Sequence, residues 1–300
     1  MLKLKNLITE APEDTVAKID QGLSGGLATA VKVFSTLAAD EEFQKIVTAG
    51  KTDGDPADEV IEVKSPPTKA KDLYATQKEI GFDKSINDLL TNEWGCIEAA
   101  FSDPALMPSP GEKTPLLTAQ VAGKKVVLDG HHRWSLAFMI NPDCNLACTE
   151  MQMPAGATDE DALKIMQLAI AAKAGAIKTK TAPKPDLMTT PTKTVEKYIL
   201  ENIQPKGIEA FKKFGKGLNL DSAEKIAKHC IQAHATIQKR KGEFERTIMP
   251  QADHSGVSQS DVNTALGAGD INYNAPKPSD VKEEGISLKE HFQKIAKIKR

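Results

Sequence analysis

The stretch VVLDGHHRW, residues 126–134, changes abruptly from strand-forming to helix-forming sequence. Apolar residues 126–128 run into Asp129-Gly130, and Trp134 opens an apolar face that continues to Ile140. β-Branched residues favour strands, whereas apolar residues spaced three and four apart favour helices. The pattern therefore predicts a strand, a tight turn and a helix over 131–140 that the following Asn-Pro pair ends.

The predicted turn has the chemistry of an anion site, because a helix N-terminus presents backbone N–H groups and the positive end of the helix dipole. Gly130 lets a ligand approach the backbone, and Arg133 offers a planar fork of donors that suits phosphate oxygens. His131 and His132 add neutral or charged donors, while Asp129 can hold Mg²⁺ or accept a hydroxyl proton. The residues alone leave one alternative open, in which Asp129 caps the helix and the other side chains are solvated.

Two motifs resemble a known superfamily. The strand followed by Asp-Gly-His-His-Arg, residues 129–133, resembles the signature of ParB/sulfiredoxin-like proteins, in particular phage ParB-like members and the related free-serine kinases. The segment DLYATQKEI, residues 72–80, is similar to the one with a Pro-Thr-Gln-x-Glu-like core that precedes this signature, with Ala75 where Pro is common. The two motifs together place a ParB/sulfiredoxin-like domain at residues 58–155.

The resemblance implies an α+β fold, with a small mixed-sheet core and helical N- and C-terminal additions, that binds a nucleotide at the turn. The implied cofactors are ATP, ADP or CTP together with Mg²⁺. Carried over onto this sequence, the nucleotide contacts fall on Gln77, Gly130, His131, His132 and Arg133. The metal falls on Asp129, and the catalytic roles fall on Glu79, Asp129 and His131, with Glu79 as a candidate base.

Members of the superfamily differ in what they do with the nucleotide. Sulfiredoxins have a cysteine where this chain has His131, and chromosome-partitioning ParB proteins continue into a helix-turn-helix that is not evident here. At this turn the sequence is more similar to the pattern of the free-serine kinases than to that of either group. The leading hypothesis is a phage-type nucleotide-binding protein acting as a phosphotransferase or nucleotide hydrolase. The alternatives are a DNA-binding or nuclease-like ParB-type protein, and a packaged internal virion protein that uses the domain as a binding module.

Composition limits the partners. The formal net charge is −2, so the chain lacks the basic excess that neutralises DNA phosphates, and DNA is not the favoured partner. The sequence has no apolar run long enough for a membrane span and no secretory signal, which predicts a cytoplasmic protein with reduced thiols and no membrane partner. Cys144 and Cys148 offer two zinc ligands as an alternative to buried thiols. His229 and His234 flank the apolar face of a predicted helix and are expected to be structural or solvated.

Four regions follow along the chain. Residues 1–55 form an N-terminal helical segment, and residues 58–155 form the core domain, with strands expected at 116–121, 125–128 and 146–151. A helical region spans 156–245. Residues 246–300 are predicted to be a flexible tail with a terminal helix at 288–298, because 250–285 has few large apolar side chains to offset the entropy of ordering.

The first ten residues, MLKLKNLITE, resemble the capsid-targeting peptides of internal head proteins in large contractile-tailed phages. Those peptides end in an apolar-x-Glu cleavage site before a small residue, which Ile8-Thr9-Glu10 and Ala11 match. An ordinary N-terminal helix start is the alternative. The resemblance implies phage capsid components as partners and the interior of the virion head as a location, besides the cytoplasm of an infected host cell.

Overall fold

A computed structural model describes residues 11–50, 61–102 and 115–273, which fall into two compact units. The described part of the first unit comprises 11–50, 61, 164–177 and 264–273. That of the second comprises 62–102, 115–163 and 178–263. The predicted targeting segment 1–10 and the predicted terminal helix at 288–298 lie outside the described residues.

The first unit is helical, with α1 (Ala11–Ser24), α2 (Leu27–Leu37), α3 (Glu41–Val47) and the greater part of α7 (Asp159–Ala174). Phe34 and Phe43 are fully buried in its core, with ring centroids 6.4 Å apart. The Lys164 ammonium donates to the carbonyls of Leu23 at 2.9 Å and Gly25 at 3.1 Å. It thereby satisfies acceptors that the end of a helix leaves without an intrahelical donor.

The second unit contains the strands and the remaining helices of the described chain. The strands are β1 (Val63–Lys64), β2 (Pro67–Lys69), β3 (Leu73–Ala75), β4 (Leu116–Val121), β5 (Lys124–Asp129) and β6 (Asn145–Gln152). The helices are α4 (Phe82–Thr91), α5 (Cys96–Phe101), α6 (His131–Ile140), α8 (Thr192–Asn202), α9 (Pro205–Phe214), α10 (Ala223–Lys239), α11 (Ala252–Ser255) and the start of α12 (Gln259–Gly267). Short 3-10 turns occupy Ala70–Asp72 and Arg246–Ile248.

The strands form one mixed sheet in the order β1-β6-β4-β5-β3, with β2 also paired to β6. β3 is parallel to β5 and β4 is parallel to β6, whereas the other pairs are antiparallel. The β4–β5 hairpin turns through Ala122 and Gly123, whose φ values of 47° and 80° are the positive values that tight hairpins favour. The predicted α+β class with a mixed sheet is confirmed.

A single residue, Gly130, separates β5 from helix α6, which is anchored from its apolar side. Trp134 is fully buried and its indole N–H donates to the carbonyl of Ala70 at 3.0 Å. Its ring also packs edge-on against Phe138, with centroids 5.9 Å apart. The strand, turn and helix predicted from residues 126–140 are all present. The packing of the buried face of α6 holds the N-terminus of this helix, and the turn before it, in a fixed position.

A late segment, residues 240–246, runs beside the chain that leaves β3. The Phe244 N–H donates to the carbonyl of Thr76 at 3.1 Å, and the Lys78 N–H donates to the carbonyl of Phe244 at 2.7 Å. At Gly242 the two backbones are so close that a Cβ would lie 2.0 Å from the carbonyl carbon of Thr76. Only glycine therefore allows this pairing, because any side chain would push the strands apart.

The predicted flexible tail is wrong for residues 246–273. This stretch forms a 3-10 turn and two helices, and Met249, Ala252 and Val262 are fully buried. The apolar residues of this stretch are few, but both large ones such as Met249 and small ones such as Ala252 are buried. Residues 178–263 belong to the same compact unit as 62–163.

Trp134→Ala should lower the free energy of unfolding by about 3–5 kcal/mol, because it removes a fully buried aromatic side chain and leaves a cavity. Urea denaturation measures this loss. Trp94→Ala is the matched control: Trp94 is 47% exposed, so its removal should lower stability by clearly less than the removal of Trp134. Equal stability of the Trp134 variant and the parent would contradict the assignment of Trp134 to the core.

Candidate functional site

The turn between β5 and α6 is held open by glycine. Gly130 is the N-cap of α6 with φ of 98°, and no side chain caps the helix. The Asp129 carboxylate instead accepts the N–H of Gly130 at 2.8 Å. The alternative in which Asp129 caps the helix is therefore not what the structure shows. A Cβ at position 130 would meet the Leu116 side chain at 3.0 Å, so glycine is also needed for space.

A cavity of about 700 Å³ lies against this turn and is lined by all five residues of the Asp-Gly-His-His-Arg motif. Gln77, which follows β3, lines it too and is only 3% exposed. The two predicted motifs therefore meet at one site. The basic side chains in the lining are Lys84, Arg133, Lys180 and Arg246, and the acidic ones are Asp83, Asp88 and Asp129.

Arg246 is the main residue of the site that the sequence did not point to. It ends the late segment and begins the 3-10 turn that follows, and its backbone N–H donates to the Glu79 carboxylate at 2.8 Å. The side chain is only 6% exposed, yet it makes no hydrogen bond or ion pair with any residue the structure describes. Burial lowers the pKa of the guanidinium, and the negative charges of Glu79, Asp129 and Asp186 partly offset this.

A buried cation without a direct partner is costly, because the charge has lost its hydration and has received no hydrogen-bonded anion in exchange. The Nε of Arg246 is fully buried and has no hydrogen-bond partner. Since the guanidinium lines the cavity, an anion bound there would provide the missing partner. This donor set fits a phosphate group, whose oxygens match the planar guanidinium fork.

His131 is buried beneath the turn, with 2% exposure. Its Nε2 accepts the backbone N–H of Thr76 at 3.3 Å and lies 3.2 Å from the Thr76 hydroxyl. Burial, reinforced by the charge of Arg246, lowers the pKa of His131 to about 3. The ring is therefore neutral at pH 7, and its second nitrogen, Nδ1, is buried without a partner.

His132 is also a neutral group. Its Nε2 accepts the backbone N–H of Gly81 at 3.2 Å, which leaves the ring proton on Nδ1. Burial lowers its pKa to about 3, with contributions from the positive charge of Arg246 and from His131. Of the neutral and charged donors that the sequence allowed, the structure thus favours neutral imidazoles, and the positive charge of the site comes from arginine and lysine.

The remaining predicted residues take different places. Arg133 lines the cavity and donates to the Gln259 side-chain oxygen at 3.3 Å. Glu79 is not among the lining residues, and its carboxylate accepts the backbone N–H of Arg246, so its role as a base stays a prediction. Asp129 lines the cavity, and the described residues contain no cluster of three or more protein side chains suited to a metal ion. Its metal role also stays a prediction.

The other candidate ligands are structural. Cys144 and Cys148 are free, buried thiols, and burial raises their pKa values to about 12 and about 11 respectively. His229 and His234 each place a ring Nε2 2.8 Å from a backbone carbonyl, those of Ile140 and Leu187 respectively. These hydrogen bonds give both histidines a structural role, which is one of the two roles expected for them.

One signal in the sequence marks Arg246 in retrospect. Only four of the 39 basic residues are arginines, so this chain uses lysine at nearly all basic positions. Arginine is needed where a fixed planar set of donors must stay charged despite burial. Both Arg133 and Arg246 line the cavity. The position of Arg246 depends on backbone pairing between distant segments, which a local pattern does not reveal.

Comparison of the chain with protein-family models, with curated proteins and with solved structures yields no match. The ParB/sulfiredoxin-like resemblance therefore rests on the two sequence motifs alone. Across 11–50, 61–102 and 115–273, no helix combines the length and the apolar character needed to cross a membrane.

The two cavity histidines should make stability depend on pH. An unfolded histidine has a pKa of about 6.5, whereas His131 and His132 stay neutral in the folded protein down to about pH 3. Below pH 6.5 the unfolded chain takes up protons that the folded one excludes, so stability falls toward pH 3, by up to about 1.4 kcal/mol per pH unit for each histidine. Above pH 6.5 they add no pH dependence.

Thermal unfolding between pH 7 and pH 5, above the main titration of carboxylates, measures this effect. The parent should lose stability steadily as pH falls, and His132→Gln, which keeps an acceptor for the Gly81 N–H, should show a shallower slope. A melting temperature that does not change across this range, or an unchanged slope in the variant, would contradict the neutral state of the ring.

Proposed function

We propose that this protein binds a nucleoside di- or triphosphate with the phosphates at the N-terminus of α6, against Gly130 and Arg246. The observation that carries the proposal is the buried guanidinium of Arg246, which lines the cavity without a hydrogen-bonded partner. A bound phosphate would complete its coordination. The site corresponds to the one implied by the resemblance to ParB/sulfiredoxin-like proteins, with Arg246 as an addition.

Several features of the cavity support a phosphorylated ligand of nucleotide size. Its volume of about 700 Å³ lies within the range of about 300–1,000 Å³ that is usual for small-molecule sites. An α-helix starts at its wall without a side-chain cap, which favours negative charge at that point. Arginine and lysine side chains supply positive charge at the cavity, and the imidazole of His132 stays neutral beside them.

Phosphoryl transfer or hydrolysis is the chemistry that this arrangement supports best. Mg²⁺ is commonly held by one or two carboxylates together with substrate phosphates, so the lack of a three-ligand protein cluster among the described residues is compatible with a Mg²⁺–nucleotide complex. Asp129 would hold that ion or accept a proton from an acceptor hydroxyl. Arg246 and Arg133 would stabilise negative charge that develops on the transferred group.

Arg246→Met should abolish or strongly weaken nucleotide binding without loss of fold. A bidentate charged contact contributes about 1.5–3 kcal/mol, which corresponds to roughly ten- to a hundred-fold in affinity. Because the charge is buried and unpaired, its replacement by a neutral side chain should leave the melting temperature of the ligand-free protein equal or raise it. Thermal-shift and calorimetric titrations with ATP, ADP, CTP and GTP plus Mg²⁺ measure both effects.

Arg240→Met is the matched control for that substitution. Arg240 donates to the carbonyl of Leu73 at 3.0 Å and stacks on Tyr74, away from the cavity lining. Its loss should lower stability but leave the nucleotide-induced shift intact. Unchanged nucleotide affinity in Arg246→Met, or failure of the parent to bind any of the four nucleotides, would overturn the proposed site.

Turnover is tested separately by ³¹P NMR of ATP and CTP with Mg²⁺, alone and with hydroxyl acceptors such as free serine. Asp129→Asn should lower the rate of nucleotide conversion by at least about a hundred-fold if Asp129 acts in proton transfer or metal binding. Glu79→Gln tests the second predicted base. Conversion that survives both substitutions would assign the chemistry to other groups.

The proposed location is the head of a phage virion, and it rests on residues 1–10, outside the described residues. A terminal segment that ends in Glu10-Ala11-Pro12 and has little apolar surface after Ile8 suits a processing protease. The mature protein in virions should therefore begin at Ala11. Mass spectrometry of purified virions decides this, and an intact Met1 on packaged protein, or the absence of the protein from virions, would contradict the packaging proposal.

A further inference from the structure

We infer that Trp94 is the stacking platform for the base of the bound nucleotide. The inference rests on the proposed function and extends it to the other end of the ligand. Trp94 lines the same cavity as Arg246 and the α6 N-terminus, and it is 47% exposed. The other tryptophan of the chain, Trp134, is fully buried. Indole rings offer a large flat surface on which bases of any sequence can stack.

The loop that carries Trp94 is fixed by a buried carboxylate. Asp88 is 2% exposed, and it accepts the N–H of Trp94 at 2.7 Å through one oxygen and the N–H of Cys96 at 2.9 Å through the other. Asn92 and Gly95 take left-handed conformations with φ of 48° and 74° on either side of the tryptophan. Because the backbone is held in place before the ligand arrives, binding costs less ordering entropy than it would for a mobile loop.

This anchoring fixes both the start of α5, through the Cys96 N–H, and the backbone from which the Trp94 side chain extends. A carboxylate that is nearly excluded from solvent pays a desolvation cost, which the two backbone N–H groups offset. The exposed part of the Trp94 ring adds no burial to the core, since 47% of the residue remains accessible. The geometry is explained if the ring is kept in position for a ligand in the cavity that it lines.

Helix α4 sets the separation between the two ends of the ligand. At its N-terminus, the Gly81 N–H contacts His132 beside the phosphate end. Asp88, which holds the Trp94 backbone, lies six residues beyond Phe82, or about 9 Å along the helix axis at 1.5 Å per residue. A ligand with charge at one end and an aromatic ring at the other fits this spacing, and a nucleotide joins the two through its ribose.

The same helix supplies polar groups for the edge of the base. Asp83 and Asn87 are exposed side chains four residues apart, and both line the cavity. Residues at this spacing share one face of a helix. The Asn87 amide offers both donors and an acceptor, which suits the mixed donor and acceptor edge of a base.

Titration calorimetry of the full chain with Mg-ATP and with inorganic tripolyphosphate tests the inference, using the parent, Trp94→Ala and Trp94→Phe. The parent should bind Mg-ATP more tightly than tripolyphosphate. Trp94→Ala should reduce affinity for Mg-ATP by about tenfold or more and leave affinity for tripolyphosphate within about twofold, because stacking acts on the base alone. Trp94→Phe should restore most of the lost affinity. Both variants should remain folded, which a cooperative thermal unfolding transition checks.

The outcomes separate the two levels of the proposal. Equal affinity of Trp94→Ala and the parent for Mg-ATP would overturn stacking, and so would an equal loss for both ligands or a parent that does not prefer Mg-ATP over tripolyphosphate. In these cases phosphate binding at Arg246 would still stand. If the parent bound neither ligand, the phosphate site itself would fail, and the role of Trp94 with it.

Discussion

The site depends on a cation placed inside the protein without a direct partner. Arg246 reaches the cavity because the late segment of the chain pairs with the backbone that leaves β3, and this pairing requires glycine at position 242. A buried guanidinium with a fully buried, unpartnered Nε opposes folding unless other interactions offset it. Folded proteins retain such groups where function needs them, and binding of an anion is the simplest function that resolves the cost.

The histidines of the motif complement this arrangement by remaining neutral. His131 and His132 each receive a backbone N–H on Nε2, and burial beside Arg246 keeps their pKa values near 3. They therefore fix the turn against the chain around Thr76 and Gly81 without adding charge. The cavity combines four basic and three acidic side chains with neutral imidazoles. The charge of Arg246 should act strongly on a ligand because the residue is buried and little water screens it.

Local sequence patterns were sufficient for the parts of the structure that depend on neighbouring residues. The strand, turn and helix at 126–140 followed from apolar periodicity, and the burial of Trp134 followed from its place on the helix face. The prediction that Gln77 and Gly130 belong to the same site came from the resemblance. Arg246 was missed because its place depends on pairing with residues near Glu79, which is 167 positions away in the chain.

Two further errors have physical causes. The segment after residue 246 was predicted to be flexible because it has few large apolar groups, but small residues such as Ala252 are buried in it. Trp94 was not singled out because one exposed aromatic residue carries no periodic signal. The role proposed for it rests on the Asp88 hydrogen bond and on the cavity lining, which depend on the fold and leave no local pattern in the sequence.

The most direct test of the account is an experimental structure of the protein in complex with Mg²⁺ and a non-hydrolysable ATP analogue. The account predicts a phosphate group at the N-terminus of α6 with an oxygen within about 2.7–3.0 Å of the Arg246 guanidinium. A complex in which the phosphates bind elsewhere, or in which Arg246 turns to pair with Glu79 or Asp186 while the nucleotide is bound, would contradict it.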